Sequence, residues 1–393
     1  MKCKLSDVCS FRKGKISVDG LNKNTYISTE NMLPNKGGIT EASSLPTVPL
    51  TQEYRKGDVL VSNIRPYFKK IWKAKYDGGC SNDVLVFAAN SNTDKDFLYY
   101  ILANDDFFAY SMATSKGTKM PRGDKTSIMQ YEVPVMDIEL QRRIASILKS
   151  IDEKIELNNA INNNLEQQAK AIFKSWFVDF EPFGGVQPSE MQFIPLQELC
   201  KVVTKGTTPT TLGKSFTSSG INFIKAESIL DNHSIDSSKF AFIDEETNAL
   251  LKRSIIKAND IVFTIAGTLG RFAMVDNSVL PANTNQAVAI IRPDETKVTP
   301  AYLYSFFIGN WHNEYYSKRI QQAVQANLSL TTIKSLPIAV LNNTTMSNYD
   351  KLVSPLFALM KNNEEENRRL SKLRDALLPR LMSGELDVSD IDL

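Results

Sequence analysis

Histidine is almost missing from this chain. There are two in 393 residues, His233 and His312, and neither has a cysteine nearby. A multi-histidine metal site is therefore excluded, and a Ser-His-Asp triad has little to be built from. The four cysteines, Cys3, Cys9, Cys80 and Cys200, form no CxxC pair. With no signal-peptide pattern, they are expected to be reduced thiols of a cytoplasmic protein. No apolar run approaches the roughly 20 residues of a membrane span, so no membrane partner is expected. Neither sign of charge dominates: 46 basic residues face 44 acidic ones, a net +2. That excludes a nucleic-acid-coating polycation and an acidic tail protein, and leaves nucleic-acid recognition open. The length predicts two or three domains of about 150 residues each. Such domains bury cores without disulfide or metal staples.

Recognisable catalytic chemistry is also scarce. Gly206 to Gly213, Lys214 and Ser215 imitate a phosphate-binding loop, but six residues separate the glycines where the phosphate cradle needs four. A flexible Thr/Gly loop is the better reading. No Asn/Asp-Pro-Pro-aromatic tetrapeptide of an amino-methyltransferase is present. Pro293, Asp294, Glu295 and Lys297 echo a nuclease motif in letters only. Their adjacency prevents two strands from holding them apart around one metal. The sequence argues against catalysis by this chain and for no metal site.

What the chain does have is an internal repeat. KLSDVCSFRKGKI from Lys4 recurs as PLQELCKVVTKGTT from Pro195. GDVLVSNI from Gly57 recurs as NDIVFTIA from Asn259, and SNDVLVFAA from Ser81 as TNQAVAIIR from Thr284. FLYYILAND from Phe97 recurs as YLYSFFIGN from Tyr302. GTKMPRGDKTSI from Gly117 recurs as QAVQANLSLTTI from Gln322. The order is kept while the offset drifts from 191 residues at Lys4/Pro195 to 208 at Ile144/Leu352. This is a tandem duplication.

Each copy has two parts. The first mixes short β-rich runs, such as Asp58–Ser62 and Asp260–Thr264, with aromatic-rich helical stretches at Asp96–Met112 and Pro300–Ile320. It reads as a compact α+β domain. The second part is a long helix. Alternating steps of four and three give Ile144, Leu148, Ile151, Ile155, Asn158, Asn162, Leu165, Ala169, Ile172 and Trp176. The same steps give Leu352, Leu356, Leu359, Asn363, Glu366, Leu370, Leu373 and Leu377 in the second copy. These are a/d stripes with polar layers. Rods of about 40 residues, ~60 Å long, need a partner, and each helix is expected to pair with the other. The segment Glu181–Pro188, with two prolines and Gly184-Gly185, marks a linker.

Two stretches suit nucleic acid. Ile64–Tyr76 carries Arg65, Lys69, Lys70, Lys73 and Lys75 with Tyr67, Trp72 and Tyr76, and no acid. Lysine and arginine neutralise phosphates, and the arginine fork also reads guanine edges. The competing reading is a solvated strand-turn-strand with its aromatics packed inward. The second stretch holds Lys116, Thr118, Lys119 and Arg122. Its repeat counterpart is neutral and holds Gln322, Gln325 and Asn327. Asparagine and glutamine suit adenine edges, arginine and lysine suit guanine. One slot with two chemistries is what a two-site reader needs; an ordinary polar loop before a helix is the alternative.

This layout resembles the specificity subunit of type I restriction-modification enzymes. The segment VPVMDIELQRRIASILKSIDEKIELNNAINNNLEQQAKAIFKSWFVDFEPF, Val133 to Phe183, is similar to that family's central conserved region. LRDALLPRLMSGELDV from Leu373 is similar to its distal conserved region. Asn342–Ser347 stands where the family usually has a proline-rich, glutamine-containing run. The resemblance implies an α+β fold class: two tandem pseudo-symmetric target recognition domains separated by two long antiparallel coiled-coil helices. The expected division is recognition domain 1 at 1–136, the central helix at 137–181, linker and recognition domain 2 at 182–345, the distal helix at 346–386 and an acidic tail at 387–393.

The resemblance further implies sequence-specific binding of double-stranded DNA with a bipartite target. Arg65, Tyr67, Lys69, Lys70, Lys73, Lys116, Thr118, Lys119 and Arg122 are the candidates for one half-site. Lys205, Thr207, Lys225, Arg271, Gln322, Gln325 and Asn327 are the candidates for the other. The implied partners are two modification (methyltransferase) subunits and two restriction (ATP-dependent translocase and nuclease) subunits. S-adenosylmethionine, ATP and Mg would belong to those partners, and no cofactor to this chain. The alternative is a coiled-coil scaffold with two protein-binding α+β domains, which would not need the basic-aromatic patch at Arg65–Tyr76.

Overall fold

The computed structural model describes residues 2–320 and 327–388. The chain divides into two compact units. Unit 1 takes Met1–Leu157 with Glu366–Leu393, and unit 2 takes Asn158–Glu365. Unit 1 is thus assembled from two segments distant in sequence and unit 2 from one continuous segment, and each owns part of both long helices.

In unit 1 a four-stranded antiparallel sheet runs in the order Cys9–Phe11, Val84–Ala89, Val59–Ser62, Ile71–Lys73. Val59 and Val61 face the helices Lys95–Ala103 and Asp105–Ala113, through Phe97, Leu98, Ile101 and Phe107. Leu60 faces the other way, with Trp72, Val84, Val86 and Tyr54. Both faces are covered, so the strand reads as continuously apolar rather than alternating. A second sheet holds Lys15–Ser17, Leu50–Tyr54, Gly78–Cys80 and Tyr26–Ile27.

Unit 2 repeats this plan. Its four-stranded sheet runs Cys200–Lys205, Val288–Pro293, Ile261–Thr264, Phe272–Met274. Ile261 and Phe263 face the helical core, and Val262 faces the opposite cluster. The second sheet has three strands, Ala241–Ile243, Ile221–Ile224 and Ala282–Thr284. Gly206, the first glycine of the phosphate-loop imitation, has a packing reason to be there. A Cβ on it would meet the Thr284 carbonyl oxygen at 1.9 Å.

The same hinge opens the central strand in both units. Asp58 is buried, and its Oδ2 accepts the Arg55 amide at 2.8 Å. Asp260 is buried, and its Oδ2 accepts the Lys257 amide at 2.7 Å. The preceding residue is left-handed in each, Gly57 at φ 92° and Asn259 at φ 65°. Glycine and asparagine are the residues that tolerate this conformation. Each carboxylate is clamped by an arginine, Arg12 in unit 1 and Arg292 in unit 2.

The central helix covers Ile138–Phe177 and the distal helix Asn343–Ser383. The first starts behind Asp137, whose side chain accepts the Leu140 amide. The second starts behind Asn342, whose side chain accepts the Thr345 amide. It ends at Gly384 with φ 74°, a left-handed stop. Within unit 1, Arg374 bonds Asp152 at 2.8 Å and Lys154 pairs with Glu366 at 3.2 Å. Within unit 2, Asn363 donates to Asn162 Oδ1 at 2.7 Å, and Asn162 donates to the Met360 carbonyl at 3.1 Å. Further along, Phe173, Trp176 and Phe177 meet Tyr349. In each unit, residues later in the first helix meet residues earlier in the second. The segments run antiparallel.

The expected first stripe faces inward: Ile144, Leu148, Ile151 and Leu165 are buried, and Ile155 and Ile172 are half-buried. The second stripe needs correction. Leu352, Leu359 and Leu373 are 47%, 44% and 48% exposed. The inward line instead runs through Tyr349, Val353, Leu356, Met360, Asn363, Leu370 and Leu377. Two heptad lines one residue apart share Leu356, Asn363, Leu370 and Leu377. Leucine count favours one line, and the fit of Tyr349 among Phe173, Phe177 and Tyr302 selects the other.

Candidate nucleic-acid interface

In unit 1 the turn after Val59–Ser62 is built around a short 3-10 segment, Pro66–Phe68. Arg65 and Lys69 flank it, both left-handed, at φ 51° and 50°. For residues with a Cβ this conformation costs about 1–2 kcal/mol each. A hairpin closed by the Lys116–Arg122 bridge docks on this turn. The Arg65 amide donates to the Pro121 carbonyl at 2.8 Å, and the Gly123 amide to the Asn63 carbonyl at 3.1 Å. The two basic stretches that lie about fifty residues apart in sequence thus form one surface. Thr118, Lys119 and Arg122 are exposed on the hairpin. Tyr67 and Phe68 are exposed on the turn, ring against ring at 4.6 Å. Exposed aromatics among cations can stack on bases or line a groove.

Most cations here are tethered. Lys69 and Lys36 share Asp105, at 2.8 and 2.9 Å. Partial burial opposes ionisation of Asp105, but these two hydrogen bonds prevail and hold its carboxyl below the usual range. Lys116 pairs with Asp124 at 3.0 Å, and this hydrogen bond, with those from Ser127, holds the Asp124 carboxyl at about 2. Arg122 reaches Asp83 at 3.3 Å. Lys70 donates to the Thr29 carbonyl at 2.6 Å, and burial lowers its pKa. Arg65 is half-buried, with no side-chain hydrogen bond or ion pair among the described residues, and its Nε is buried without a partner.

Unit 2 reproduces this frame with other chemistry. The Thr264 amide donates to the Arg271 carbonyl at 2.7 Å, as the Ser62 amide does to Lys70 at 3.0 Å. The Leu328 amide donates to Ile265 at 2.9 Å, in the place of Gly123 on Asn63. Ser329 caps the following helix Leu330–Lys334, as Asp124 caps Lys125–Ile128. Asn327 therefore occupies the position of Arg122, and it is exposed. Arg271 is held by Asp231 through two bonds of 2.6 Å.

Residues 1–167 and 188–342 match the model of the type I restriction modification DNA specificity domain, once in each copy. The chain belongs to this family. It is similar to the HindI specificity subunit of Haemophilus influenzae, 26% identical over 92% of this chain and 94% of that one. It is also similar to the MjaIX specificity subunit of Methanocaldococcus jannaschii, 26% identical over 75% of this chain and 70% of that one. Its fold resembles the S subunit of a type I restriction-modification system from M. genitalium, with a TM-score of 0.57 at 16% identity over 99% and 96% of the two chains. The chain is a type I specificity subunit with two DNA recognition domains.

The remaining candidates of this specificity subunit fall in several places. Lys73 does not join the basic surface. It is ion-paired with Asp96 on the neighbouring helix, and burial pushes its pKa down to about 8. Its counterpart across the repeat is Met274, a fold position. Trp72 is buried against Tyr54 and cannot stack on a base. Lys225 pairs with Glu227 at 2.7 Å, beside Ala226, whose carbonyl accepts from Thr268 of the Ile265–Arg271 turn. Lys205 is exposed at a strand end, and Thr207 accepts from Arg253 at 3.2 Å. Gln322 and Gln325 lie outside the described residues. Two cations were not singled out in the sequence. Lys36 lies beside the turn because the Asn35 and Lys36 amides donate to Phe68 and Lys69, and its side chain is largely buried against Asp105. In unit 2, Arg253 is exposed and donates to Thr207. Both are isolated in sequence from the segments they join, and no local pattern marks them.

Among the described residues no group of three or more His, Cys, Asp or Glu could hold a metal ion. No described helix is long and apolar enough to cross a membrane.

Proposed function

We propose that each recognition domain reads one half of a split duplex site. Unit 1 would read through the turn 63–70 and the hairpin 116–122. Unit 2 would read through the turn 265–271 and the segment around Asn327. The supporting observation is the repeated frame: one set of backbone hydrogen bonds presents Arg65, Lys119 and Arg122 in one copy and Arg271 and Asn327 in the other. A constant frame with variable side chains suits two different half-sites read by one geometry.

In this proposal the chain carries no catalytic group and works in the cytoplasm. The paired helices offer docking surfaces to two modification subunits, which transfer methyl groups from S-adenosylmethionine to adenine. Two restriction subunits add ATP- and Mg-dependent translocation and cleavage. Arg253, which is exposed, joins the cation set as a phosphate contact, while Lys36 holds Asp105 beneath the turn.

The test is reconstitution. The purified chain alone should bind duplex weakly and transfer no methyl group. Co-purified with its modification subunits, it should methylate a bipartite motif readable by methylation sequencing. Methyl transfer by the chain alone would overturn the non-catalytic assignment. A single undivided motif would overturn the two-reader assignment.

A further inference from the structure

We infer that Arg65 specifies a guanine in the half-site read by unit 1. This rests on the reading of the units as DNA readers. The two central turns are framed by the same backbone hydrogen bond. Ser62 matches Thr264, and Lys70 matches Arg271. The turn of unit 1 is one residue longer, with seven residues between Ser62 and Lys70 against six between Thr264 and Arg271. Counted from its first end Arg65 takes the place of Gly267, and counted from its last end Lys69 takes the place of Gly270. All four are left-handed: φ is 51° and 50° in unit 1, 77° and 85° in unit 2.

Glycine is the residue this conformation favours, and unit 2 has it at both positions. Space is not the reason. A Cβ on Gly267 would meet nothing closer than Ala226 Cβ at 3.9 Å, and one on Gly270 nothing within 4 Å. The glycines serve backbone conformation alone. Unit 1 bears the strain twice, each time with a cation.

The two cations differ in what they do. Lys69 is satisfied within the protein by Asp105. Arg65 has a half-buried guanidinium with no partner among the described residues. Its backbone is locked by the Pro121 carbonyl and by Pro66 after it. A strained, locked, unpaired guanidinium beside the exposed hairpin is set to receive a planar pair of acceptors. In duplex DNA, guanine O6 and N7 supply that pair in the major groove. A phosphate would also accept the fork, but without sequence preference.

The experiment uses the full complex with modification subunits. Arg65→Gly restores the residue of the matching position, so the fold should hold and its melting temperature should stay or rise. Arg65→Asn, which also tolerates the left-handed conformation, is the second variant. In both, one guanine of one half-site should become degenerate, with preference falling on the order of 10- to 100-fold. The other half-site should be unchanged. A uniform loss of affinity with an intact motif would overturn the inference in favour of a phosphate contact. An unchanged motif and affinity, or a wild-type half-site without guanine, would overturn it outright. None of these would touch the two-reader reading, which fails only if the wild-type motif is not bipartite.

Discussion

Unit 1 and unit 2 secure the same buried carboxylate from different strands. Asp58 takes its clamp from Arg12, just past Cys9–Phe11, with Arg12 Nη2 on Oδ1 at 2.7 Å. Asp260 takes its clamp from Arg292, on Val288–Pro293, through two bonds of 2.7 Å. By strand register, the position of Arg12 holds Thr204 in unit 2, and the position of Arg292 holds Ala88 in unit 1. The requirement is therefore electrostatic, not positional. A buried carboxylate that orders the turn before the central strand needs a cation, and either the adjacent strand, as in unit 2, or the strand beyond it, as in unit 1, can supply it. The recognition turns differ in the opposite way: the backbone bonds that frame them recur, while the turn length and the side chains change.

The largest effect should come from breaking this clamp. Arg292→Ala leaves Asp260 buried without its cation and should cost unit 2 about 3–5 kcal/mol. Adding Thr204→Arg supplies the cation from the strand unit 1 uses and should recover most of that loss. Chemical denaturation of the single and double variants measures both. A double variant no more stable than Arg292→Ala would show that the two clamps are not interchangeable.

The next comparison is pH. Both histidines of the chain lie in unit 2. His312 is buried among Phe263, Phe307 and Tyr316, and burial, with a smaller contribution from His233, pushes its pKa down to about 3. Burial lowers His233 as well. The unfolded chain takes up the His312 proton below about pH 6.5, and the native state does not until about pH 3. The unfolded state therefore binds the extra proton in that window, and stability falls as pH falls through it. At pH 5 unit 2 should lose about 2 kcal/mol from this group. Melting curves of His312→Phe should lack that slope.

Recognition gives comparable but local effects. Arg122→Ala and Asn327→Ala change matching positions of the two frames. Each should cost about 1–3 kcal/mol at one base position, and in different half-sites. Methylation sequencing that found both relaxing the same half would break the proposed equivalence. The smallest effect belongs to Lys119, at the hairpin tip. Lys119→Ala should leave the motif intact and reduce the slope of log affinity against log salt by about one.

The sequence by itself determined the duplication, the α+β class and the two long helices. The first rests on repetition, visible when the two halves of the chain are laid side by side, and the others on strand and helix periodicity and turn residues, which act over a few residues. It also located the two basic loops, because cations and aromatics are visible as letters. Tertiary structure alone decided the rest. The leucine line Leu352, Leu359, Leu373 was the plausible seam, but two heptad lines share half their members, and the fit of Tyr349 in an aromatic cluster chose the other. Lys73 belonged by letters to the basic patch, and its partner Asp96 lies on another element. Lys36 had no local signal and arrives through backbone bonds to Phe68 and Lys69. The strain at Arg65 was invisible because nothing in Ile-Arg-Pro-Tyr announces a left-handed arginine. Sequence patterns encode which surfaces must be buried. Which charge meets which, and where the backbone bears strain, is set by contacts between residues far apart along the chain.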